Sequence, residues 1–138
     1  MNLLEQLKKA NLDALKSKDK DSRAILSVVI NKITMKEKEH NTVLSDEDVL
    51  LIVIKAYKEL EEEKAGYEQA HNEERVSSIL AQMAAIDRYI PKQLSEDEIR
   101  KEIDKLNDKT LPNIMKHFKM NFAGRVDLSL VSKIARSL

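Results

Sequence analysis

Apolar residues recur along this chain at the three- and four-residue spacing of helices, and polar punctuation divides them into seven runs. In the first, over about residues 2–17, Leu4, Leu7, Asn11, Ala14 and Leu15 mark one face, with Leu3 and Ala10 beside it. Asn2 caps this run, and Glu5, three residues on, reaches back to it. Lys18-Asp19-Lys20-Asp21 follows as a polar connection with cap-competent Asp residues. Ile25, Leu26, Val28, Val29, Ile30 and Ile33 then form a wide apolar band over about residues 21–40, which predicts the most buried helix. So many β-branched residues also suit a strand, but they lie inside a longer helical frame that no turn residues bound.

His40-Asn41-Thr42-Val43-Leu44 reads as a loop. Ser45 caps a third helix whose first turn, Asp46-Glu47-Asp48, places acids where the macrodipole favours them. Its stripe is Val49, Leu50, Val53, Ala56, Tyr57 and Leu60, and Gly66 weakens its end. A turn at His71-Asn72 leads into a fourth helix along Val76, Ile79, Leu80, Met83, Ile86 and Ile90. The short link predicts an antiparallel pairing of the third and fourth helices.

Pro91 ends that pattern, because proline lacks an N–H and biases Ile90 away from the α region. Ser95, followed three residues later by Glu98, signals a new start. The spacing alone fits either an ordinary helix–helix turn or a boundary between two helical units. Beyond it, Ile99, Ile103 and Leu106 define a fifth helix, and Leu111, Ile114, Met115 and Phe118 a sixth, with Pro112 in its first turn. Phe122 to Val126 breaks the period. Asp127 then caps a seventh run through Leu128, Val131, Ile134, Ala135 and Leu138. The expected fold is all-α: a bundle of about four helices over residues 1–90 and a small three-helix domain over 91–138, with a thin core.

Charge separates the two parts. The whole chain is neutral, but residues 1–90 carry 14 Lys and Arg against 17 Asp and Glu, and residues 91–138 carry 10 against 7. From Thr110 onward Lys116, Lys119, Arg125, Lys133 and Arg136 face a single acid, Asp127. The basic surplus therefore gathers at the end of the chain. The chain contains no Cys, which excludes disulfides and thiolate metal sites and suits a cytoplasmic protein. No apolar run approaches membrane-spanning length, and Glu5 comes too early for a secretory signal, so no membrane association is expected.

Catalytic patterns are missing. The two glycines are far apart, so no phosphate-binding loop exists. His40, His71 and His117 lack metal-ligand spacing. Ser45 and Ser95 read as caps, and no nucleophile has a recognisable base. No carboxylate lies on an apolar stripe where burial would raise its pKa, and Glu61-Glu62-Glu63 reads as a solvated face. The residues point to no catalytic group, metal or cofactor.

Tyr89-Ile90-Pro91-Lys92-Gln93-Leu94-Ser95-Glu96-Asp97-Glu98 resembles the "YLPKQLSEEE" junction of the GatB/YqeY family. Leu3-Leu4-Glu5-Gln6-Leu7, Lys18-Asp19-Lys20 and Ser45-Asp46-Glu47-Asp48 resemble its earlier segments. Ile114-Met115, Gly124-Arg125-Val126-Asp127 and Leu130-Val131 resemble its C-terminal "VM…GRAD…LV" signature. Members resemble the tail of GatB, one of the polypeptides of the aminoacyl-tRNA amidotransferase, a glutamine-dependent carbon–nitrogen ligase. The resemblance implies an all-α protein and a module that helps to hold tRNA, with tRNA-aminoacylation or amidotransferase proteins as partners. The amidotransferase's catalytic machinery lies in other domains and polypeptides, and nothing in this chain matches it. Leu128 stands where the family usually has Gly, and Asn121-Phe122-Ala123 where it often has basic residues.

Two readings of function follow. In a non-catalytic tRNA-binding module, Lys116, Lys119, Arg125, Lys133 and Arg136 contact phosphates. Gly124 either lets the backbone approach a phosphate or only supplies a positive φ to a helix–helix turn. In a helical protein-interaction adaptor, neutral charge and few aromatics for base stacking fit a partner other than RNA.

Overall fold

The computed structural model describes residues 1–138 and contains seven helices and no strand. They are α1 (Leu3–Ser17), α2 (Lys20–His40), α3 (Asp46–Gln69), α4 (Glu73–Asp87), α5 (Glu96–Asp104), α6 (Leu111–Asn121) and α7 (Leu128–Arg136). The fold is all-α. The chain divides into two compact units, Met1–Ile90 and Pro91–Leu138.

In the first unit α2 packs against α1, α3 and α4, and α3 pairs extensively with α4. The core gathers Leu7 of α1, Ile25, Leu26, Val29 and Ile33 of α2, Val49, Val53, Ala56 and Leu60 of α3, and Ile79, Met83 and Ile86 of α4. Each helix begins on a side chain that accepts an otherwise unpaired N–H. Asn2 accepts from Glu5, Asp19 from Ser22, Ser45 from Asp48 and Asn72 from Arg75. Glu5 does not close a reciprocal box at α1. Instead the Leu3 N–H donates to Asp46 Oδ1 of α3 at 3.0 Å. One acid therefore serves the first turns of two helices. A second cross-tie joins α2 to α4, where Ser78 Oγ donates to Asp21 Oδ1 at 2.6 Å.

Helix α2 ends at His40, where the sequence reading ended it, and Asn41 turns the chain with φ 48°. Other boundaries differ from the sequence reading. Gly66 lies inside α3, which runs on to Gln69. Helix α4 stops at Asp87, and Tyr89 and Ile90 close single tight turns onto Ile86 and Asp87. Pro91 acts one turn upstream of itself, because Ile90 must already leave the α region. Leu15, Val28 and Leu80, assigned to apolar faces, are about half exposed. Each sits at the edge of its stripe, and a small bundle has no further layer to cover such edges.

Asn11 occupies the α1 stripe as expected, but its Oδ1 is buried without a hydrogen-bond partner. An unpaired buried polar atom destabilises the folded state.

The second unit has its own core, made of Ile99 and Ile103 of α5, Ile114 and Phe118 of α6, and Val131 and Ile134 of α7. Leu106 lies past the end of α5 but still packs on this core, whereas Leu138 lies past α7 and is largely exposed.

A Cβ added at Gly66 meets nothing within 4 Å, and the backbone there is helical. Replacing glycine inside a helix removes unfolded-state freedom at no steric cost. Gly66→Ala should therefore raise stability by about 0.5–1 kcal/mol, read as a higher urea midpoint at unchanged slope. A lower midpoint would mean that this turn of α3 needs its glycine.

Candidate nucleic-acid interface

The predicted contact residues all lie in the second unit, on α6, on α7 and in the turn between them. Local sequence explains the frame. Ser95 and Glu98 form a reciprocal capping box at α5, with the Glu98 N–H donating to Ser95 Oγ and the Ser95 N–H to Glu98 Oε1, each at 3.2 Å. Thr110 makes no side-chain cap, Asp108 Oδ1 accepts the Thr110 N–H at 3.0 Å, and Pro112 occupies the first turn, where no donor is needed. Asp127 caps α7 by accepting the Ser129 N–H at 2.9 Å.

The turn from Phe122 to Val126 is held from both sides. Within it, the Arg125 N–H donates to the Phe122 carbonyl at 2.9 Å. From the segment after Pro91, Gln93 Nε2 donates to the Gly124 carbonyl at 2.7 Å and the Leu94 N–H to the Arg125 carbonyl at 2.8 Å. Gly124 is buried and has φ 77°, a conformation that side-chain-bearing residues rarely adopt. The positive φ and the burial of Gly124 fit the helix–helix turn, one of the two roles open to it.

The five bases fall into two environments. Lys116 and Lys119 are exposed on α6 at i, i+3 spacing, and Lys133 and Arg136 are exposed on α7 at the same spacing. Helices α6 and α7 pack against each other. Their buried positions, Ile114 and Phe118 on one and Val131 and Ile134 on the other, leave these four bases on the faces turned from the core. Near them the only acid in sequence is Asp127.

Arg125 is also exposed, but its guanidinium lies 5.7 Å from the centre of the Phe122 ring. It also lies within electrostatic reach of Glu98. The Glu98 carboxyl is held below the usual glutamate range, first by its bonds to Ser95 and then by the charges of Lys92 and Arg125. Lys92 is the cation that sequence reasoning missed. It stands 33 positions before Arg125 in the chain, and only the fold brings both to one carboxylate. The signal was present, since Lys92 belongs to the junction motif.

No group of three or more His, Cys, Asp or Glu is placed to hold a metal ion, and no polar or charged residue is buried. No helix is long and apolar enough to cross a membrane.

Two comparisons bear on kinship. The family model described as "Yqey-like protein" matches residues 4–138. No curated protein matches the chain.

Two outcomes follow from this geometry. Gln93→Ala removes two bonds, to the Pro91 and Gly124 carbonyls, and leaves the buried Gly124 carbonyl without its Gln93 partner, so the second unit should lose about 1–3 kcal/mol. The loss should show as faster hydrogen exchange in α5 to α7; exchange unchanged from wild type would make the Gln93 contact dispensable. The second outcome concerns acid. Because the folded Glu98 value is depressed, its contribution is complete above the ordinary glutamate value of 4.5 and is lost as pH falls through the folded value. Glu98→Gln, which resembles the protonated form, should have a lower urea midpoint than wild type at pH 7, and the difference should vanish at low pH. A difference independent of pH would assign the effect to packing rather than charge.

Proposed function

The chain belongs to the YqeY-like family, and from that premise we propose that it is a non-catalytic accessory module that holds tRNA through its phosphates. The observation that carries this reading is the pair of exposed bases on each of α6 and α7, on the faces turned from the shared core. The ion pairs Arg100–Glu96, Lys105–Glu102 and His117–Glu102 of this unit involve none of those four bases. The resemblance to the tail of an amidotransferase polypeptide supplies the ligand class.

Binding of this kind works by charge. Only Phe118 and Phe122 supply carbocyclic aromatic rings in the unit, and both pack in its core, so little is offered for stacking on bases. Affinity then comes from released counterions, and the slope of log K against log salt scales with the number of phosphates neutralised. Contacts of this number support Kd values of roughly 10⁻⁴–10⁻⁶ M at physiological salt.

A salt titration of tRNA binding tests the reading. Lys119→Ala should weaken binding and flatten the slope by about one. Arg125→Ala should flatten it less, because its guanidinium lies over the Phe122 ring. Glu62→Ala, on the acidic first unit, should change neither. Equal slopes for wild type and Lys119→Ala would remove α6 from the contact. No binding at low salt would sink the tRNA reading and leave the protein-interaction adaptor in its place.

A further inference from the structure

His117 is the centre of a polar cluster that neither the family resemblance nor the basic faces account for. It is on α6, with its side chain about three-quarters buried, and its Nε2 lies 3.4 Å from Glu102 Oε1 of α5. Glu102 is equally sheltered, and its other oxygen pairs with Lys105 Nζ at 3.4 Å. On the far side of the ring, Asn121 Nδ2 lies 3.2 Å from His117 Nδ1 and 3.0 Å from the His117 carbonyl oxygen. The ring edge packs against Phe118, and Phe122 closes the apolar side at 5.8 Å.

These contacts select one protonation form. The Asn121 amide has two hydrogens, and two acceptors sit within reach, so Nδ1 must carry a lone pair. The ring proton is then on Nε2, where it donates to Glu102. Turning the Asn121 amide over would set its oxygen against the His117 carbonyl oxygen, so the carbonyl fixes the amide and the amide fixes the tautomer.

We propose that His117 is a proton-operated catch between α5 and the last turn of α6. A second proton enters at Nδ1 and meets the Asn121 N–H group, donor against donor. Asn121 must then leave Nδ1, and its two-point hold on His117 is broken. At the same time the imidazolium gains full attraction to the Glu102 carboxylate. Protonation thus tightens the tie to α5 and releases the end of α6, where the Phe122 N–H donates to Phe118 and the turn toward Gly124 begins.

The charged groups around the ring fit this action. Glu102 faces it from α5, with Lys105 behind and bound to the opposite oxygen. Lys116 and Lys119 flank it along α6 and point outward. Lys133 and Arg136 of α7 form no ion pair with it or with Glu102. The α5 and α6 backbones share few close contacts compared with either helix and α7. A single side-chain bridge between them therefore carries weight.

The test is a pH titration of the full chain by NMR, following the His117 ring nitrogens, the Asn121 side-chain amide and backbone hydrogen exchange at Asn121 and Phe122. At the alkaline end the ring should be the Nε2–H tautomer. Through the titration of the His117 ring, the Asn121 amide resonances should move in step with it. After correction for intrinsic rates, exchange at Asn121 and Phe122 should be several-fold faster at the acid end. Asn121 is exposed, so Asn121→Ala should fold, lose that pH-dependent step and admit the Nδ1–H tautomer. Glu102→Gln should keep the Asn121 response but lose the tightening toward α5, read as loss of the acid-end protection of α5 amides. An Nδ1–H ring in the wild type at alkaline pH would overturn the proposal. So would Asn121 resonances that stay still while His117 titrates, or an exchange step that survives in Asn121→Ala.

Discussion

The second unit depends on the closure of its Phe122–Val126 turn. Six buried side chains from three short helices make a core too small to fix the path of the intervening chain by packing alone. Two hydrogen bonds from Gln93 and Leu94 do that work, gripping consecutive carbonyls at Gly124 and Arg125. The grip requires Gly124, because only a residue tolerant of φ 77° can sit buried there and still present its carbonyl. With the turn fixed, Asp127 is in place to cap α7, and Val131 and Ile134 reach the core. The junction after Pro91 is therefore a structural member of the unit it precedes, beyond its role in ending α4.

In the first unit the corresponding constraint is α2, which touches all three other helices and carries the unbroken band Ile25, Leu26, Val29 and Ile33. Ties between helix starts and distant acids set the ends: Asp46 receives Leu3, and Asp21 receives Ser78. Both acids lie in first turns, where the sequence already favours them through the macrodipole. Each side chain meets two demands at one position.

What the sequence made legible is what local chemistry decides. Asn2, Ser45, Ser95 and Asp127 cap the helices they were expected to cap, because an N-cap bond spans two or three residues. The all-α fold and the family resemblance were equally plain. Stripe edges were not: Leu15, Val28 and Leu80 match the helical period, but exposure at an edge depends on whether a neighbouring helix overhangs it. The grip of Gln93 on Gly124 spans 31 positions and that of His117 on Glu102 spans 15. No periodicity encodes such pairs. For the candidate interface, residue type located the bases, while their division into free and engaged groups came only with Glu98, Lys92 and the Phe122 ring in place.

That division changes how the "GR" signature bears on function. A glycine and an arginine in a turn invite the reading of a phosphate cradle. Here the glycine is buried with its carbonyl occupied, and the arginine lies over Phe122 beside an acid-rich helix start. Phe122 and Leu128 both pack on the core of the unit. The exposed positive charge of α6 and α7, two bases per helix, faces away from the core and lies outside the motif. In this chain the signature builds the scaffold of the turn, and four of the five exposed bases lie outside it.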